Sequence, residues 1–288
     1  MRGGYLEQSC GDWVACDPAL DGVQRLQAWF GATGFARHRH DTYAIGLTDA
    51  GVQSFWYRGS VHASTPGEVI VLHPDEPHDG YAGTRHGFGY RIVYVHPARV
   101  AEASRAIVGR VCALPFVARP VIQSPALRDS IAAAFTREWA PLAVDALVLS
   151  LTEALLLESA GPAAAKTCPD RRAVKRARQL LDSETHRLVR SSELETASGL
   201  SRFELARQFR EQVGTSPYRY SLMRRLECAR IHIGTRPLAE VALETGFADQ
   251  AHFTRAFGAA FGITPGRYAA LKSSAPKPRS SIPARTDG

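Results

Sequence analysis

The stretch SRFELARQFREQVGTSPYRY begins at Ser201, and 48 residues later DQAHFTRAFGAAFGITPGRY begins at Asp249. In one shared frame Leu205 matches Phe253, Arg207 matches Arg255, Phe209 matches Phe257 and Gly214 matches Gly262. Pro217, Arg219 and Tyr220 likewise match Pro265, Arg267 and Tyr268. The match extends backwards, with ELETASGLS before the first copy and EVALETGFAD before the second, one residue being added after the glycine. Such a duplication requires the chain to build the same supersecondary unit twice. In each copy a short helix is expected to end at Gly199 or Gly246, followed by an apolar residue, Leu200 or Phe247. Ser201 or Asp249 then caps the next helix by accepting from backbone N–H groups of its first turn. Helix, short glycine-bearing turn and second helix make a helix-turn-helix.

In the second helices Leu205 and Phe209, and likewise Phe253 and Phe257, are four residues apart and form a buried stripe. The opposite faces present Phe203, Arg207 and Arg210 in one copy and Ala251 and Arg255 in the other, flanked by Arg202, Ala206, Gln250 and Thr254. These nine residues are the candidate DNA contacts. Arg207 and Arg255 have an alternative as ion-pair partners of Glu204, Glu211 or neighbouring helices. Between the copies Leu222, Leu226, Ala229 and Ile233 form a stripe, so one helix holds both units at a fixed separation and places two readers in successive major grooves, roughly 34 Å apart. An αα-repeat that binds protein would share these helices, but the charge argues against it. Residues 1–165 carry 13 basic and 16 acidic residues, whereas 166–288 carry 22 and 12. The excess of +10 falls on the half with the repeat, where a polyanion would bind.

The first half has a different texture. GVQSFWYRG, GEVIVLHP and FGYRIVYVHP are short β-branched and aromatic runs bounded by turn residues, which predicts an antiparallel sandwich or barrel over about 23–96. Ala- and Leu-rich text follows, and APLAVDALVLSLTEALLLESAG is apolar nearly all round. That helix must be covered by the barrel or by a second subunit, and Leu147 and Leu151 are candidate dimer contacts. GPAAAKTCPD reads as a linker, and the Pro/Ser-rich end as a disordered basic tail. The five cysteines are odd in number and scattered, which fits reduced, structural thiols. No apolar run reaches the length of a membrane span, and the start lacks a signal-peptide core, so a cytoplasmic protein is expected.

Residues 170–271 resemble the DNA-binding domain of the AraC/XylS family of bacterial transcription regulators, and AEVALETGFADQAHFTRAFGAAFGITPGRY is similar to that family's C-terminal signature. The resemblance implies seven helices with readers starting near Ser201 and Asp249. Ala206 and Ala251 are small where the family often carries a polar base reader, which shifts direct readout toward Arg202, Arg207, Gln250 and Arg255. HRHDTYAIGLTDAGVQSFWYRG with TPGEVIVLHPDEPHDG resembles the cupin-like effector-binding domain of the same family. It implies an α+β protein: a cupin-like effector-binding and dimerisation domain with helices over 1–160, a linker at 161–169, an all-α domain with two helix-turn-helix units over 170–271, and a tail at 272–288.

His38, His40 and His78 occupy the histidine places of metal-binding cupins, and strand alternation lets His38 and His40 share one face with His78 opposite. The glutamate place holds Ala44 or Ile45, and Asp41 alternates to the other face. The three histidines are therefore assigned to an organic effector rather than a metal, with Trp56, Arg91 and Tyr94 as further lining suited to an aromatic or carboxylate-bearing metabolite. No cofactor and no catalytic residue are assigned, because no nucleophile-base set or phosphate loop is apparent. A metal-dependent cupin-type enzyme tethered to DNA is the alternative. The expected partners are a double-stranded DNA operator, a small-molecule effector, a second copy of the chain, and RNA polymerase if the protein activates; no membrane is expected. A fragment starting near Cys168 is expected to fold alone.

Overall fold

The computed structural model describes residues 11–136, 139–159 and 170–274. The linker expected at 161–169 lies outside the described residues; of the tail expected at 272–288 only residues 272–274 are described, and Lys272 and Ser273 end a helix instead.

Among the described residues ten strands form two antiparallel sheets. The first contains, in spatial order, β1 (Trp13–Cys16), β2 (Val23–Phe30), β9 (Phe88–Val95), β4 (Tyr43–Gly51), β7 (Val69–Leu72) and β10 (Val121–Ile122). The second contains β3 (Thr33–His38), β8 (His78–Ala82), β5 (Gln53–Tyr57) and β6 (Ser60–Ser64). Leu26, Ala28, Phe30, Tyr90 and Ile92 of the first sheet meet Phe55 and Tyr57 of the second in one apolar core. The alternate residues Val23, Ile45, Val69, Val71, Val93 and Val95 face away from that core, into a layer made by three helices. These are α1 (Pro97–Val108), α2 (Pro125–Thr136) and α3 (Pro141–Glu158). A sheet covered on both faces needs apolar residues at every position, which is why β7 reads as an unbroken VIVL.

Helix α3 is covered by its own chain along most of its length. Leu147 and Leu151 are buried against α2 and the first sheet, so they are core residues and not dimer contacts. The large apolar side chains that α3 leaves in solvent are Leu142, Leu149 and Leu157.

The described residues of the basic half form seven helices: α4 (Arg171–Ser183), α5 (Ser191–Ser198), α6 (Arg202–Val213), α7 (Pro217–His232), α8 (Leu238–Glu244), α9 (Gln250–Phe261) and α10 (Pro265–Ser273). The first helix-turn-helix is α5–α6 and the second is α8–α9. Their cores differ in an unexpected way. The first unit has its own cluster of Val174, Ala177, Leu181, Leu205, Phe209 and Val213. In the second, Met223, Leu226, Phe253, Phe257 and Tyr268 are continuous with the core between the two sheets. Helix α9 packs on β3 and α10 on β1. The two halves therefore share a core.

Candidate nucleic-acid interface and ligand cavity

The turns of both units have the expected chemistry. Gly199 and Gly246 adopt φ +75° and +74°, where a side chain is strained. A Cβ on Gly246 would also lie 2.8 Å from the His186 carbonyl oxygen and from Arg187 Cα. The Ser201 hydroxyl accepts from the Glu204 N–H, and Asp249 Oδ1 accepts from the His252 N–H at 2.6 Å. Beyond these caps α6 exposes Arg202, Phe203, Arg207 and Arg210, while α9 exposes Gln250, Ala251 and Arg255. Ala206 and Thr254 are half-buried. Two of the arginines have local partners: Arg202 pairs with Glu195 at 3.2 Å and Arg207 with Glu211 at 3.1 Å. Exposed pairs of this kind contribute only about 0 to 1 kcal/mol, so a phosphate or base edge can displace them.

The repeat has a second use. Each copy turns the same corner toward the first half: the glycine that ends the reader helix and the Arg-Tyr that follows it. Gly214 lies against Pro97, whereas Gly262 lies against Phe35, Ala36 and His38. Arg219 pairs with Asp75 at 2.6 Å, and Arg267 with Asp12 at 3.3 Å. The Ala36 N–H donates to the Gly262 carbonyl at 2.9 Å. Gly214/Gly262 and Arg219/Arg267 match in both copies, so the signal for this contact is present in the sequence, although DNA reading alone does not explain it.

Between the halves lies a cavity of about 40 Å³, lined by His38, His40 and Tyr94 from the first half and by Glu227, Arg230 and Tyr268 from the second. His78 sits behind the two histidines, its ring 4.4 Å from His38 and 4.8 Å from His40. Tyr94 stands edge-on to His40 at 5.2 Å. The structure thus brings together His38, His40, His78 and Tyr94 but not Trp56 or Arg91. On β5 the buried Phe55 and Tyr57 point into the core, so Trp56 points away, with the Arg37 guanidinium 3.8 Å from its ring centre. On β9 the core takes Tyr90 and Ile92, so Arg91 turns to the helix layer, where it forms a forked pair with Asp49 at 2.7 to 3.1 Å. Ala44, at the cupin glutamate place, is buried in the core between the sheets.

Burial holds the histidines neutral. It lowers His38 to about 3 and His78 to about 4, and keeps His40 well below the ordinary value; the neighbouring His78 adds to the effect on His38 and His40. Asp41, which lines the same cavity, meets Arg224 of α7. Burial raises its carboxyl to about 6, and Arg224 opposes that rise. Sequence reasoning missed Arg224, Glu227 and Arg230, since an arginine or glutamate on a basic helix looks like any solvated residue. Arg230 is buried, donates to the Gln24 side-chain oxygen, and forms no ion pair among the described residues.

Residues 24–152 match the AraC-like ligand binding domain, and residues 194–270 match a helix-turn-helix domain. The chain belongs to the AraC family of transcription regulators. Its relatives agree with that placement. It is 27% identical over 224 residues to the uncharacterized HTH-type transcriptional regulator YbfI of Bacillus subtilis, covering 76% of this chain and 81% of that one. It is 30% identical over 177 residues to the transcriptional activator NphR of a Rhodococcus species, covering 60% and 51%. The fold is similar to that of ToxT from Vibrio cholerae, with a TM-score of 0.62 over 88% of this chain and all of that one, at 11% identity. A further ToxT structure, bound to an unsaturated fatty acid, superposes with a TM-score of 0.55 at 12% identity. This AraC-family chain is accordingly a DNA-binding transcription regulator with an N-terminal ligand-binding domain. Among its described residues no helix is long and apolar enough to cross a membrane.

Proposed function

We propose that the chain works in the cytoplasm as an operator-binding homodimer whose affinity for DNA is set by a small carboxylate-bearing effector held between its two halves. The observation that carries this reading is Arg230. A buried guanidinium whose partners are a neutral amide, Gln24, and the face of the Phe261 ring has no counter-charge of its own and is costly, and an anionic group entering the cavity relieves that cost with charge-assisted hydrogen bonds. Tyr94 and Tyr268 supply hydroxyls beside it. The cavity has room for only a few waters, so a metabolite enters by parting α7 and α10 from the barrel. Ligand binding and movement of the second reader are then one event.

On the DNA side Arg202, Arg207, Arg210, Gln250 and Arg255 supply hydrogen bonds to base edges and phosphates. Phe203, Ala206, Ala251 and Thr254 supply apolar contacts, for which thymine methyl groups are suitable partners. The exposed Leu142, Leu149 and Leu157 of α3 support dimerisation through that helix, and a dimer would carry four readers to paired half-sites. An operator placed beside a promoter would bring the protein into contact with RNA polymerase. The relatives' names favour regulation over catalysis.

The test is a thermal-shift screen of full-length protein against amino acids, sugars, aromatic acids and fatty acids, followed by operator titrations with each hit. Carboxylates are expected to raise the melting midpoint by mass action and to change operator affinity, and Arg230→Met should abolish both responses. Hits that ignore Arg230, or that bind without changing operator affinity, overturn the reading.

A further inference from the structure

His38 and His78 are direct partners in the β3–β8 register, and His40 follows two residues after His38. All three rings are held in the same way. Nδ1 of His38, His40 and His78 lies 2.8, 3.0 and 2.9 Å from the backbone carbonyls of Ala36, Thr42 and Glu76. A carbonyl only accepts, so each Nδ1 carries the proton and each Nε2 keeps its lone pair. Among the described residues no group donates to any of the three Nε2 atoms, and one nitrogen from each ring lies within 4.8 Å of the other two. Three buried imidazoles packed this closely, each with its Nδ1–H already engaged, leave one lone-pair nitrogen per ring for an electron acceptor. The Nδ1–H to carbonyl bonds are also the outer support that metal-binding histidines use to fix tautomer and ring angle.

We infer that Nε2 of His38, His40 and His78 bind a first-row divalent transition metal ion of the zinc class. Imidazole suits these ions, and three nitrogens leave open positions for water or a ligand. Zinc–nitrogen bonds of about 2.0 to 2.1 Å require the rings to draw inward by roughly 1 Å. With Ala44 at the glutamate place, the site keeps the full charge of the ion, which faces the cavity that His38 and His40 line. The charge of nearby Arg219 is countered by Asp75, 2.6 Å away. The consequence reaches the DNA-binding half, because His38 Nδ1 lies 2.8 Å from where a Cβ on Gly262 would stand. Drawing His38 toward a metal moves the strand that carries Ala36, the hydrogen-bond partner of Gly262 at the end of α9.

The inference does not depend on an organic effector, and its test contains neither effector nor DNA. Full-length protein stripped with a chelator is titrated with Co²⁺, read by visible absorption, and with Zn²⁺, read by calorimetry. One ion per chain is expected, with the intense absorption of a tetrahedral cobalt site and a raised melting midpoint. His38→Ala and His78→Ala should weaken binding by more than about 100-fold, beyond the 10- to 100-fold that loss of an outer-shell partner costs. His86→Ala, at an exposed histidine, should change nothing. Stoichiometric binding that survives both ligand substitutions overturns the inference. So does the absence of stoichiometric binding by the folded unaltered chain, a result that stands even if a variant fails to fold. Either failure leaves the effector screen unaffected.

Discussion

Arg224 on α7 and Asp41, the residue after His40, form an ion pair at 3.2 Å in which the carboxylate has no solvent exposure. Arg224 also holds Glu227 at 2.8 Å, and His96 Nε2 lies 3.8 Å from Asp41 Oδ2, the same oxygen that Arg224 approaches. A charge pair at the centre of the contact between the halves, next to the histidine cluster, ties the cavity to the helix that joins the two DNA-reading units.

Breaking that pair should be expensive. Arg224→Ala leaves Asp41 buried without its guanidinium, a loss of about 3 to 5 kcal/mol for pairs of this type. Arg267→Ala removes a more exposed pair with Asp12 and should cost about 0 to 1 kcal/mol. Urea unfolding of the two variants measures the contrast. Equal, small effects would mean that the Asp41 contact does not hold the halves together.

Acid should weaken the chelator-treated protein in a defined window. His38, His73 and His78 are held at about 3, 4 and 4 by burial, whereas an unfolded histidine titrates near 6.5. The unfolded chain therefore binds more protons, and the stability contributed by neutral histidines is present above about pH 6.5 and lost as pH falls toward 4. Asp41 works in the opposite sense: its raised value favours the fold below about pH 4, and that contribution is lost as pH rises through about 6. The histidines outnumber it, so the net slope should be positive. His73→Gln should flatten the slope in a series of urea titrations from pH 4 to 7. A flat profile for the unaltered protein would contradict the buried, neutral assignment.

Base reading by the arginines is tested at the two matched positions. Arg207→Ala and Arg255→Ala should each lower operator affinity by about 1 to 3 kcal/mol and relax preference at one position of the site. Arg207 must first release Glu211, so Glu211→Gln should strengthen binding slightly. Selection from random DNA with each variant reads the outcome. An unchanged motif and affinity would reduce both arginines to structural roles.

The two helix-turn-helix units were legible in the sequence because duplication, caps and glycines all point the same way. The parity of Trp56 and Arg91 was not. Both faces of the first sheet are apolar, so alternation along β9 does not say which side meets the second sheet, and Arg91 went to the helix layer with Asp49. The histidine cluster was legible from its spacing, but the carbonyls that fix each Nδ1 become visible only with backbone positions. Arg224 and Arg230 were hidden for another reason. Their burial depends on the two halves meeting, and no local pattern around them encodes that contact.

Dimerisation through α3 separates cleanly from folding. Leu149→Glu, on the exposed face, should convert a dimer to a monomer by light scattering while leaving the melting midpoint nearly unchanged. Leu147→Ala, in the core, should cost about 2 to 5 kcal/mol of stability and leave the association state of the folded protein intact. A monomeric unaltered chain, on and off DNA, would remove the proposal.

A fragment covering residues 170–288 provides the most demanding test, because the two reading units should respond differently to loss of the first half. The α4–α6 unit keeps its own cluster around Leu205 and Phe209, so it should stay folded. The second unit loses the surface that covers Met223, Ile263 and Tyr268, the partner of the Gly262 carbonyl, and the Asp41 contact of Arg224. Exposing apolar side chains at roughly 25 cal/mol per Å² should make α7–α10 the less protected part of the fragment by amide hydrogen exchange. On DNA, the fragment should protect the half-site read by α6 more strongly than that read by α9, with a smaller salt slope than full-length protein because fewer phosphates are neutralised. Uniform exchange protection and a full two-unit footprint would show that the second unit is stable without the barrel, and that its shared core is not required for DNA reading.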